Sequence, residues 1–105
     1  MEETSDDRYD LQDRYLELTR RELPAAAVAA GDWPVRFDHC FMRIVLDHVF
    51  GGCWYDHLNR RQRAYKQLDE AQLAAAVGHG EKMLSGGRAV VEAMNRESLA
   101  WRGKR

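Results

Sequence analysis

The chain has few cysteines and prolines, no long apolar run and no excess of either charge. Two cysteines, Cys40 and Cys53, in 105 residues are too few for a disulfide framework and imply no oxidising compartment. A formal net charge of −1 removes any global argument for nucleic acid or an anionic membrane as partner. No apolar run approaches the ~18 residues needed to cross a bilayer. The opening MEETSDDRYD is acidic where a secretory leader would be basic and then apolar. These features predict a cytoplasmic protein that is near full length. Strand-like alternation, low-complexity segments and solenoid periods are also missing.

What is there suits one small core. Hydrophobic residues make up 45% and charged residues 31% of the chain, which is ordinary for a globular protein and not for a disordered one. The length predicts a single helical domain over residues 1–105, viable without metal or disulfide support, with residues 1–4 and 103–105 fraying. The expected class is all-α: a compact bundle of four to five helices around a central apolar helix.

Thr4 and Asp7 have the spacing of a helix start. Leu11, Tyr15 and Leu18 then form one apolar stripe, and Tyr9, Leu16 and Leu23 a second. Pro24 is expected to interrupt this helix, because proline lacks an N–H and clashes with the preceding turn. Ala25–Ala30 reads as a short helical run ended by Gly31. Asp32 to Arg36 reads as an extended connector around Pro34. Asp38 can cap a helix from His39 to about Phe50. Phe41, Ile44, Val45 and Val49 mark one face of it, while Cys40, Met42 and Leu46 lie on others. A helix apolar nearly all round is buried, so this is the expected central helix. Gly51-Gly52 ends it. Cys53–Leu58 should form another helical turn, and 59–66 a basic connector or short helix.

Asp69 with Gln72, and Leu68 with Leu73, give a capping box and hydrophobic staple. Leu73, Val77, Gly80 and Leu84 follow as a buried stripe. Val91, Met94 and Ser98 continue it in phase, but one helix of ~33 residues would be about 50 Å long. A break at Gly86-Gly87 is therefore preferred.

The chemistry concentrates between Trp33 and His57. Asp-His occurs there as Asp38-His39, Asp47-His48 and Asp56-His57. The interval of nine invites a metal reading, but nine residues turn a helix through about 180°. Each Asp is thus expected to cap a helix or meet solvent, and each His to be satisfied near the core. If Cys53–His57 is helical, those two lie at i, i+4. His39 and Cys40 could then join them across the Gly-Gly turn in a zinc set of His39, Cys40, Cys53 and His57. A cysteine nucleophile beside a histidine is a further, weaker reading. The aromatic residues can form core or the floor of a pocket, with Trp33, His39, Arg43, Trp54, Tyr55 and His57 as candidate ligand contacts. Arg43 is expected to pair with Asp47 at i+4. Gly78 and Gly80 inside a helix each cost about 1 kcal/mol relative to alanine, for which close helix approach is the ordinary compensation.

The run Asp38-His39-Cys40-Phe41-Met42-Arg43-Ile44-Val45-Leu46-Asp47, then Trp54-Tyr55 and the ending Ser98-Leu99-Ala100-Trp101-Arg102-Gly103-Lys104, resembles a group of small uncharacterised microbial proteins. Some of these are labelled acetyltransferase-related. The resemblance runs from about Tyr9 onward and implies no particular mechanism. Acetyltransferases of that superfamily have an α/β fold and hold coenzyme A with a Q/R-x-x-G-x-G/A loop. None of the 8 glycines fits that pattern.

Three functions compete at this level. One is a helical binding or accessory module for a small molecule or protein, using the Trp33–His57 segment and needing no cofactor. Another is a small metal-binding or cysteine/histidine enzyme. The third is a nucleic-acid accessory protein using Arg60, Arg61, Arg63, Lys66 and the tail Arg102, Lys104, Arg105, against which the balanced charge argues. The apolar faces fit a homodimer as well as a monomer.

Overall fold

In a computed structural model the backbone is described over residues 4–103, and the side chains from residue 8 onward. The expected cap between Thr4 and Asp7, and fraying at 1–3 and 104–105, lie outside the described residues. Thr4 and Gly103 themselves are helical. The helices are α1 (Thr4–Glu17), α2 (Leu23–Ala30), α3 (Asp38–Phe50), α4 (Ala64–Gln67), α5 (Glu70–Gly86) and α6 (Arg88–Gly103). A π-helical turn, Leu18–Glu22, joins α1 to α2, and a 3-10 turn, Trp54–Asp56, follows α3. Among the described residues there is no strand, and the class is all-α as the periodicities predict.

Pro24 does not interrupt the first helix. It sits just inside α2, and helical backbone continues through it. Proline cannot donate to the ladder, and its ring crowds the carbonyl four residues back. The π-turn takes up that misfit: the Leu23 N–H bonds the Leu18 carbonyl, five residues back. The Thr19 hydroxyl donates to the Tyr15 carbonyl at 2.9 Å. Arg14 clips the turn from outside, bonding Glu22 at 2.6 Å and Glu81 of α5 at 3.2 Å. The inserted residue also reorders the two stripes. Tyr15, Leu18 and Leu23 are buried, Leu11 and Leu16 are half-buried, and Tyr9 is exposed.

The apolar helix α3 lies at the centre, against α2, the π-turn, α5 and α6. Phe41, Ile44, Val45 and Leu46 are wholly buried, each worth roughly 1.5–3 kcal/mol of transfer free energy. Its cap differs slightly from expectation. Phe37 holds the cap position without a side-chain bond, and Asp38 is the first helical residue. Gly51, at φ 67°, ends the helix in the left-handed conformation.

The start of α5 is as the local signals predict. Asp69 Oδ1 accepts from the Gln72 N–H at 2.7 Å, and Gln72 Oε1 accepts from the Asp69 N–H at 2.9 Å. Leu68 and Leu73 pack in a second core cluster with Leu46, Trp54 and Ala64. The helix breaks at Gly87, with φ 71°, and α6 folds back on α5. A Cβ on Gly86 would collide with the Val90 side chain, so the turn needs glycine there too. Gly80 compensates for its helix cost by close approach: a Cβ would lie 3.1 Å from Leu18 Cδ1. Gly78 has open space around it, and no packing in the structure accounts for it.

Candidate functional site

Asp47 is a buried carboxylate with four hydrogen bonds, and its partners are not those expected. It neither caps a helix nor meets solvent: it is wholly buried. Its carboxylate accepts from the Trp54 N–H at 3.0 Å, Ser98 Oγ at 2.6 Å, and Arg102 Nε and a terminal nitrogen at 2.8 and 3.0 Å. Arg43 therefore does not pair with Asp47. It reaches α6 instead, donating to Ser98 Oγ at 2.7 Å and Asn95 Oδ1 at 2.8 Å. The local i, i+4 pairing loses because Arg102 offers two parallel donors, the strong form of a carboxylate–guanidinium contact. Those bonds push the Arg102 guanidinium further above its ordinary pKa. Asp47 thus ties the end of α3 and the backbone after Gly51-Gly52 to the last turn of α6. One signal pointed to it. Ser98 lies in phase with Val91 and Met94 on a buried stripe, and a serine there calls for a polar partner.

The six candidate ligand contacts do not share one pocket. Trp33 packs edge-on against Phe41 at 6.0 Å near the start of α3. His39 is exposed and stacks on Phe37 at 5.8 Å. Arg43 faces α6. Trp54 is buried in the second core cluster. Tyr55 is partly exposed between two guanidinium groups, Arg60 at 4.1 Å and Arg102 at 4.8 Å. His57 is exposed and stacks on Phe50 at 4.7 Å. The 13 residues of α3 separate the first group from the last by about 20 Å.

The zinc set does not assemble either. Only Trp54–Asp56 is helical after the Gly-Gly turn, so Cys53 and His57 are not on one helix face. Cys53 is buried and His57 exposed. Among the described residues no group of three or more His, Cys, Asp or Glu side chains could hold a metal ion. Of the basic cluster, Arg60 and Arg102 meet across Tyr55, while Lys104 and Arg105 lie outside the described residues.

His48 is nearly buried. Its Nε2 lies 3.1 Å from the Met94 carbonyl and 3.4 Å from Glu97 Oε1, and its ring packs on Trp101 and His79. Burial lowers the His79 pKa from 6.5, and the nearby His48 and Lys82 lower it further.

A different cleft carries unspent chemistry. It is lined by Tyr15, Leu16, Thr19, Arg20, Asp38, His39, Met42 and Tyr65, with a volume of about 140 Å³. Tyr15 is 2% exposed, and its hydroxyl is the buried side-chain oxygen that, among the described residues, has no hydrogen-bond partner. Burial pushes the phenol pKa up, and the neighbouring Arg20 charge opposes that rise. The π-turn sets this geometry, since Thr19 and Arg20 belong to it and Tyr15 lies one turn before. Of the sequence candidates, only His39 reaches this cleft. Sequence reasoning read Tyr15 as core, and nothing local distinguishes it from Leu11 or Leu18 on the same stripe.

No protein-family model, curated protein or solved structure shows significant similarity to the chain. Among the described residues no helix is long and apolar enough to cross a membrane.

Proposed function

We propose that the protein is a small helical binding module whose ligand site is the cleft between the π-turn, the first turn of α3 and Tyr65. The observation that carries this reading is the Tyr15 hydroxyl. A buried, unpaired hydroxyl costs about 1–3 kcal/mol, and buried polar groups are otherwise nearly always bonded. Tyr15 lines a cleft whose walls also hold Arg20, Asp38 and His39, and its hydroxyl is closed to solvent in the free protein. A ligand acceptor that reached this hydroxyl by a small shift of the wall would offset the cost. The π-turn adds support, because such turns are frequent at functional sites.

Binding is favoured over catalysis. The thiols of Cys40 and Cys53 are free and, among the described residues, neither has a hydrogen bond to a histidine that would make a nucleophile–base pair. They suit a reducing compartment, and we assign the protein to the cytoplasm. The nucleic-acid alternative draws on Arg60 and Arg102, but Asp47 already neutralises Arg102.

The test is a screen of small polar fragments by ligand-observed NMR, run on the native protein and on Tyr15→Phe. The expected result is at least one fragment that binds native protein and loses affinity about tenfold in the variant, the equivalent of one hydrogen bond of ~1.4 kcal/mol. Tyr15→Phe should meanwhile melt no lower than native protein. Fragments that bind both proteins equally, or none at all, would remove the cleft from consideration.

A further inference from the structure

Resting on that cleft, we propose that its ligand is a small zwitterion: a free amino acid with a short side chain, or a molecule with the same ammonium and carboxylate pair. Three features of the wall carry this.

The first is an uncommitted cation. Neighbouring arginines are engaged, Arg14 with Glu22 and Glu81 and Arg21 with Glu17. Arg20 makes no ion pair or hydrogen bond among the described residues, yet it lines the cleft and its charge reaches the Tyr15 phenol. A guanidinium beside a phenolic donor is a carboxylate-recognition pair.

The second is an anion in the same cleft that no lysine or arginine neutralises among the described residues. Asp38 Oδ1 accepts from the His39 N–H at 2.7 Å and lies 3.7 Å from His39 Nδ1. Its second oxygen has no protein donor among the described residues. Arg20 and Asp38 line one cleft without pairing with each other, so both charges remain for a ligand. The partly exposed ring of Tyr65, tilted against Tyr15 with centroids 6.3 Å apart, offers aromatic surface that also suits an ammonium group.

The third is size. A cleft of about 140 Å³ holds several water-sized groups. That matches a molecule of glycine or alanine size, with any larger side chain left projecting into solvent. The two charges also discriminate. A simple carboxylate would face Asp38 unpaired, and a simple amine would face Arg20, so each half-ligand meets a repulsive group.

The probes are glycine and alanine, with acetate, methylamine and tryptophan as comparisons, measured by saturation-transfer NMR and calorimetry. Glycine or alanine should bind saturably and raise the melting temperature. Acetate and methylamine should bind at least about tenfold more weakly, the loss of roughly one charge-assisted bond, and tryptophan should gain nothing over alanine. Arg20→Gln and Asp38→Asn alter exposed side chains and should keep the fold, and each should weaken alanine binding about tenfold. Absence of saturable amino-acid binding, or acetate binding as tightly as alanine, overturns the zwitterion. If the fragment screen then finds a Tyr15-dependent ligand without the two charges, the cleft stands and only its ligand class falls. If it finds none, both readings fall.

Discussion

Asp47 shows how far a single side chain can reach in this molecule. Its carboxylate takes donors from residues 54, 98 and 102. Removing one partner of a buried ion pair strands the other, at a cost of about 3–5 kcal/mol. Asp47→Ala should therefore be among the most destabilising single changes in the chain, lowering the unfolding free energy from urea titration by that order. Arg43→Ala leaves the pair intact and should cost about 1–2 kcal/mol, mainly the bonds to Ser98 and Asn95. Parallel urea titrations check both, and equal losses would mean that Arg43 shares the Asp47 charge. The pairing was hidden from the sequence because i, i+4 reasoning sees only one helix, whereas Arg102 is 55 residues away. The Tyr15 cleft was hidden for a similar reason: it draws on residues 15–20, 38–42 and 65, and no single window contains them.

At the level of elements, local chemistry was legible wherever it is self-contained. The Asp69–Gln72 box and the Gly86-Gly87 break need only neighbours in the chain, and both are found as read. The buried character of α3 was legible as well, because apolar residues occupy nearly every face. The π-turn was not. It inserts one residue without a distinctive composition, and its only local trace is Pro24, which ordinarily signals an end rather than a continuation. The two glycines of α5 separate propensity from packing. Gly78→Ala should stabilise by about 0.5–1 kcal/mol, since a Cβ there meets nothing. Gly80→Ala should show no such gain, because its Cβ would press on the fully buried Leu18. Thermal melts of the two variants decide this, and equal gains would show that Leu18 yields freely. Asp69→Ala, which breaks the capping box, should cost about 1 kcal/mol.

The molecule as a whole is held by α3, and His79, packed against it from α5, makes that hold pH-dependent. His79 on α5 packs against His48 on α3, with Glu97, Trp101 and Lys82 close by. The folded pKa of His79 lies below the 6.5 of the unfolded chain. The unfolded state therefore takes up the proton first, and stability falls as pH drops through about 6.5. Above that pH both states are neutral at this residue and the effect vanishes. Melting temperatures measured from pH 7.5 down to 5.5 should decline, and His79→Gln should flatten part of that decline. An unchanged slope in the variant would assign the effect elsewhere. The radius of gyration, 13.6 Å, is that of a compact chain of this length, so such local changes are felt across the bundle.

The link between Asp47 and Arg102 also orders events in time. On a ribosome, α3 is synthesised well before Arg102, and until α6 arrives the Asp47 carboxylate lacks its bonds from Ser98 and Arg102. Burying it without them is costly, which favours a nascent chain whose central helix stays open to water until α6 is made. Chains truncated before Ser98 should accumulate as substrates for chaperones and proteases, and the molecule matures all at once rather than from its N-terminal end.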